Sequence, residues 1–250
     1  MHLIPVRTAG LVGDWWPGAG QDFAIVYAHG LGGDRRGQKA TALATACGQR
    51  GWPYAAFDFF AHGDSAGQMR DLTGSRILAD LANIRDFLAT HGVRWLLLVG
   101  SSMGGWASAW FAKQHADAVL ACALIAPALR FPEARWLALS EAERNDWQTS
   151  GVRRVQNDFI DVELSYGLVA ERDRYPFAEL VREWNTPTLI YHGWADTIVL
   201  PAQSLEFLDR VPPGMVELRL WKTGDHRLSG TQAEIAAAVL EFFAVEGEVG

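Results

Sequence analysis

The chain has little that would tie it to a metal, a membrane or a nucleic acid. Two cysteines among 250 residues, Cys47 and Cys122, stand far apart. They make neither a metal cluster nor a disulfide framework and are expected to be buried thiols in a reducing compartment. The seven histidines include no pair at zinc-ligand spacing. No apolar run approaches the roughly 18 residues of a membrane span. The opening MHLIPVRTAG lacks the basic and apolar regions of a secretory signal and is poor in the arginines of a transit peptide. A cytoplasmic protein is the expectation. Positive charge is in deficit: 22 Lys and Arg against 29 Asp and Glu give a net charge of −7, which disfavours nucleic acid and anionic lipid as partners. Internal repeats and low-complexity tracts are missing, and no cofactor is called for.

What is present is a core. Hydrophobic residues make up 49% and charged residues 20% of the chain, enough for one sizeable globular domain. Short apolar runs alternate with helical patterns. Strands are expected at 23–30, 54–59, 95–100 and 119–126, and helices at 39–51, 75–92 and 102–115. Fully apolar strands alternating with helices predict an α/β fold with a mostly parallel sheet covered on both faces. Residues 128–185 break the pattern. They are rich in charge, Ser140 and Glu143 suggest a capping box for a helix through Trp147, and no buried strand run appears before 186. This stretch is expected to be a small cap inserted into a core formed by 1–127 and 186–250. The alternation then resumes with strand 188–192, helix 202–210, strand 216–221 and a last helix. That helix is expected to be capped by Thr231 and Glu234, with Ile235, Val239 and Phe242 facing the core.

Two stretches fit the G-x-S-x-G pattern of a serine nucleophile: GDSAG at 63–67 and GSSMG at 100–104. A nucleophile elbow is a sharp turn set directly between a strand and a helix. The strand holds the serine, and the helix N-terminus offers free N–H groups to a developing oxyanion. Ser102 meets this requirement: WLLLVG runs into it and a helical pattern follows at once. Ser65 sits in AHGDSAGQMRDLTG, a polar glycine-bearing loop, and is expected to brace a turn. Ser101 stands one place early in the glycine frame, so its hydroxyl should point elsewhere.

A serine needs a base, and the base needs an orienting carboxylate. In parallel sheets the working groups gather at the carboxyl ends of the strands. Asp196 follows strand 188–192 in HGWADTIV, and His226 follows strand 216–221 in KTGDHRL. The chain order Ser102, Asp196, His226 is the one an elbow serine keeps with its partners. His91 and His115 close helices, His62 braces the 60s loop, His29 shapes HGLGG, and His192 is expected to be a hydrogen-bonded structural histidine. Asp225 adjoins His226 and is poorly placed to face it. The oxyanion donors are expected to be the amides of Met103 and of Leu31, the latter in the HGLGG loop. Among eleven tryptophans, Trp194 beside the acid loop is a candidate substrate contact, together with the aromatics of the cap; most of the others should be packing.

With those residues in order, the chain resembles the α/β-hydrolase superfamily. HGLGG, DFFAHGDS, VGSSMGGW, HGWADTIV and GDHRL match its pattern across nearly the whole chain. GSSMGGW with DHR is similar to a narrower family, that of the mitochondrial depalmitoylase and mycophenolic acid acyl-glucuronide esterase with its bacterial relatives. The resemblance implies an acyl-enzyme mechanism on a small-molecule ester, acyl glucuronide or thioester, with Ser102 as nucleophile, Asp196 as acid and His226 as base, and no metal or organic cofactor. Compartment and natural substrate are not carried over, and the oligomeric state stays open. Lactonases, carbon–carbon hydrolases and acyltransferases share the fold and triad. A ligand-binding sensor with slow turnover is the rival from outside enzymes.

Overall fold

The computed structural model describes residues 2–156 and 160–246; the parts of the expected core and cap at 1, 157–159 and 247–250 lie outside the described residues. An eight-stranded sheet runs in the order β1 (Ile4–Thr8), β2 (Leu11–Trp16), β4 (Tyr54–Asp58), β3 (Phe23–Ala28), β5 (Trp95–Ser101), β6 (Val119–Ile125), β9 (Thr188–Gly193), β10 (Val216–Trp221). From β4 through β10 all neighbours are parallel, whereas β1–β2 and β2–β4 are antiparallel. The antiparallel pair was not legible in the sequence. β1 is largely exposed, so it lacks the apolar run that marks the inner strands.

β5 shows why the inner strands read as unbroken apolar runs. Leu96 and Leu98 enter the core on one face, while Leu97 and Val99 enter the core on the other. The first face is covered by α2 (Gly74–Ala89) and α3 (Met103–Gln114), which bury Ile77, Leu81, Trp106 and Phe111. The second is covered by α1 (Gln38–Arg50) and α9 (Gln232–Glu246) through Leu43, Cys47, Ile235 and Val239. Each such fully buried side chain stabilises the fold by about 1.5–3 kcal/mol before entropy is counted. Phe243 takes the deep position expected of Phe242, which is only partly buried. Spaced four residues from Val239, Phe243 continues the apolar stripe that Ile235 begins. α1 ends at Gly51 in the left-handed region (φ 71°), as its glycine implies. α2 stops at a Thr90 cap, short of Gly92. At the start of α9 the Thr231 carbonyl accepts from Ile235 N at 2.9 Å, while its hydroxyl donates to Leu228 O at 2.7 Å.

Residues between β6 and β9 form the excursion that the charge pattern marks. α4 (Phe131–Leu137) is followed by α5 (Glu141–Ser150), which opens on the expected Ser140–Glu143 capping box and runs past Trp147. A two-stranded antiparallel ribbon, β7 (Val152–Gln156) and β8 (Asp161–Ser165), comes next. It escaped notice because most of its side chains are exposed or half-exposed. α6 (Tyr166–Ala170) and α7 (Phe177–Val181) return the chain to the sheet. This return is well buried: Trp184 packs edge-on to Phe207 of α8 (Ala202–Arg210), and its indole N–H donates to Thr186 O at 2.7 Å.

Candidate active site

Ser102 is the single residue between β5 and α3. It has φ 53° and ψ −113°, a left-handed conformation that is costly for a residue with a β-carbon. Neighbours hold it there. Its N–H donates to Ile125 O at 3.0 Å, and its carbonyl accepts from Trp106 N and Ala128 N, both at 3.1 Å. The flanking glycines make the turn possible. A β-carbon on Gly104 would collide with the Ala28 carbonyl, and one on Gly100 would meet the Ser108 hydroxyl oxygen at 2.6 Å. Met103 opens α3, so its amide belongs to the first helical turn, whose N–H groups have no partner within the helix.

Three side chains converge from three strand ends. Ser102 Oγ lies 3.0 Å from His226 Nε2. His226 Nδ1 lies 2.7 Å from Asp196 Oδ2. A carboxylate can only accept, so Nδ1 carries the proton and the Nε2 lone pair faces the serine. The Asp196 side chain is fully buried. Burial alone would raise its pKa; the hydrogen bonds from His192, His226 and the Val199 amide outweigh that and hold the carboxyl well below the usual carboxylate range. Its Oδ1 accepts from Ile198 N at 2.8 Å and Val199 N at 2.9 Å.

His192 is buried and hydrogen-bonded as expected, but its partner carries more weight than the sequence shows. Its Nε2 faces Asp196 Oδ2 at 3.2 Å and Val199 O at 2.9 Å, and its Nδ1 faces the Ser204 hydroxyl at 2.7 Å. Nε2 therefore donates to two acceptors and Nδ1 accepts from Ser204. His192 orients the acid. Its spacing of four from Asp196 across the tight GWA turn is the one sequence signal that could have found it.

The HGLGG loop forms a four-residue turn closed by Gly33 N to Gly30 O at 3.0 Å, with Gly32 at φ 70°. A glycine in the left-handed region is what the third position of such a turn requires. His29 Nδ1 donates to Gly30 O at 2.8 Å, and its Nε2 accepts from Phe59 N at 3.0 Å. Burial, with His62 beside it, pushes the His29 pKa down to about 3, so this imidazole is neutral and braces the loop. Leu31, Ser102 and His226 line one cavity of about 400 Å³. A second, of about 490 Å³, also reaches Ser102 and is walled by α4, β7 and the start of the 197–203 segment.

The structure places Trp194 away from both. Its N–H donates to Trp221 O at 2.7 Å, which extends the β9–β10 ladder by a residue and turns the ring to solvent at 55% exposure. It lines neither cavity at Ser102. Of the cap tryptophans, Trp147 lines the second cavity. Trp136 meets Tyr166 edge-on and lies under the Arg172 guanidinium. The buried Tyr27 phenol hydrogen-bonds Ser101, which lines the first cavity beside Ser102. Among the described residues no group of three or more His, Cys, Asp or Glu could hold a metal ion.

This combination of sheet, elbow and convergent strand ends matches a known family. The model of the alpha/beta hydrolase fold matches residues 24–168, and the chain belongs to that family. It is 26% identical over 212 residues to the Homo sapiens and Bos taurus proteins named palmitoyl-protein thioesterase ABHD10, mitochondrial, covering 84% of this chain and 68% of each relative. A solved structure from Agrobacterium vitis S4 is similar at TM-score 0.82 and 26% identity, over 96% of this chain and 97% of that one. Mouse alpha/beta hydrolase domain-containing protein 10 is similar at TM-score 0.80 and 22% identity, over 100% of both chains; at that identity the likeness speaks for the fold alone.

Proposed function

We propose that the chain is a serine hydrolase that cleaves carboxylic ester and thioester bonds through an acyl-enzyme on Ser102. The observation that carries this is the unbroken chain Ser102 Oγ, His226 Nε2, His226 Nδ1, Asp196 Oδ2, with contacts of 3.0 and 2.7 Å. The relatives' names, which specify a thioesterase, support the bond type. Ser102 Oγ attacks the carbonyl carbon while His226 Nε2 takes its proton. The amides of Met103 and Leu31 bind the oxyanion that forms. As the tetrahedral adduct collapses, His226 returns the proton to the leaving alcohol oxygen or thiolate sulfur and is neutral again. Water then gives a proton to His226 and attacks the acyl carbonyl; as this second adduct collapses the bond to Ser102 Oγ breaks, His226 returns the proton to Oγ, and a carboxylic acid leaves. Residues 128–185 act as the cap that shapes the second cavity. The reading keeps the cytoplasm as compartment; the free buried thiols Cys47 and Cys122 fit any reducing compartment, and fractionation tests the point.

The test is labelling with a fluorophosphonate followed by peptide mapping, beside a panel of esters, thioesters and peptides. Label on Ser102 and turnover of esters or thioesters ahead of peptides is the expected result. Absence of label, label on Ser65, or faster peptide cleavage overturns the reading.

A further inference from the structure

Four arginines line the second cavity at Ser102: Arg130, Arg135, Arg153 and Arg154. Three are neutralised. Arg130 bridges Glu133 and Glu206, Arg153 pairs with Glu143, and Arg154 with Asp161. Arg135 is different. Its Nε is buried without a hydrogen-bond partner among the described residues, and its guanidinium lies over the Phe131 ring at 4.8 Å. Its pKa is pushed down to about 10 by burial, with no carboxylate among the described residues acting on it, so it stays charged at neutral pH. A half-buried cation with no counter-charge among the described residues is left to water and to whatever anion enters the cavity. A fold that holds one in the wall of a cavity beside its nucleophile is arranged for an anion to arrive.

The two cavities also divide the substrate. His226 lines the first and not the second. The leaving group needs the His226 proton, so it departs through the first. The acyl group, still bonded to Ser102, occupies the second. Ala134 of α4 and Ala138 at its C-cap line the same wall; their short side chains leave room for an extended chain along it.

Resting on the hydrolase reading above, we propose that Arg135 receives an anionic group carried by the acyl moiety, so that the substrates are esters or thioesters of acyl chains that end in a carboxylate. The guanidinium fork offers a carboxylate two parallel charge-assisted hydrogen bonds. An unsubstituted long acyl chain would cover the charge without pairing it, and is disfavoured at that end.

The test uses the full chain and p-nitrophenyl monoesters of adipic, suberic and sebacic acids, each against its neutral methyl-capped counterpart. These chains are long enough that attack by their own carboxylate does not compete. Wild type is expected to favour the free acids. Arg135→Gln is expected to lower kcat/KM on them about 10- to 100-fold, the loss typical of a hydrogen-bonded charge, mainly through KM, while the neutral esters hold their rates. Arg135→Lys should keep part of the preference, and it carries the test if the Gln variant does not fold. Equal rates on acid and neutral esters in wild type, or equal slowing of both by the Gln variant, overturns the proposal and leaves the hydrolase reading intact. No turnover of any ester, with Ser102 unlabelled by fluorophosphonate, overturns both.

Discussion

Residues 63–67 and 100–104 both carry a serine between two glycines, yet the neighbours of each serine use its hydroxyl differently. At Ser102 the backbone is pinned by Ile125, Trp106 and Ala128, which leaves the hydroxyl free to face His226. At Ser65 the hydroxyl itself is the pin. It donates to Asp58 O at 2.6 Å and accepts from Val12 N at 2.8 Å. The loop around it is closed by Arg35, which pairs with Asp14, Asp58 and Asp64. Its Phe60 amide donates to Asp80 Oδ2 at 2.7 Å. Neither loop is slack. The difference is that one spends its side chain on structure and the other spends backbone, so that a side chain is left for chemistry. A serine pattern therefore means little until the partner of the hydroxyl is known.

The comparison can be broken most decisively by exchanging which serine is lost. Ser102→Ala should abolish fluorophosphonate labelling and lower kcat/KM by at least about 10⁴-fold, since the nucleophile cannot be replaced by its neighbours. Persistent labelling in that variant would mean that Ser65 or Ser101 reacts. Asp196→Asn should cost about 10⁴-fold in kcat, because the amide can hold the imidazole in the wrong tautomer, and should also lower stability, since its NH2 meets donors where the carboxylate accepts; a decrease in kcat below tenfold would show that the acid is supplied elsewhere.

The carboxylates of the two regions also differ in sign. Asp196 is held ionised, whereas burial pushes Asp80 up to about 6 against the opposing pull of the Phe60 amide and Arg76. For an acid with a raised folded pKa, the native state binds the extra proton between the unfolded value and the folded one. Its stabilising effect is therefore complete below about pH 4 and is lost as pH rises through 6. Asp80→Asn should flatten that slope, gaining on the order of 2 kcal/mol over wild type between pH 4 and 7 in urea melts. A parallel pH dependence in the two proteins would remove Asp80 as the cause. Last, Ser65→Ala should cost about 1–2 kcal/mol through its two hydrogen bonds and leave kcat/KM within about twofold of wild type.

Much of this was readable in advance because its causes are local. Leu96 through Val99 are apolar on both strand faces, so the parallel sheet announces itself. The strand, glycine frame and helix around Ser102 are contiguous, so the elbow does too, and Asp196 and His226 follow from their places after the late strands. The failures are equally specific. The Trp194 ring faces solvent because its backbone stays in the sheet ladder, and a strand's continuation past its apolar run leaves no mark in composition. The β7–β8 ribbon is too polar to resemble a buried strand.

The sequence by itself determined the fold class, the elbow and the order of its partners, since these depend on periodicity and on glycines at fixed spacing. Only the tertiary structure decided that His192 grips the acid and that Arg135, alone among four cavity arginines, has no counter-charge among the described residues. Pairing between charges remote in sequence is set by how the cap packs, and no local pattern records it.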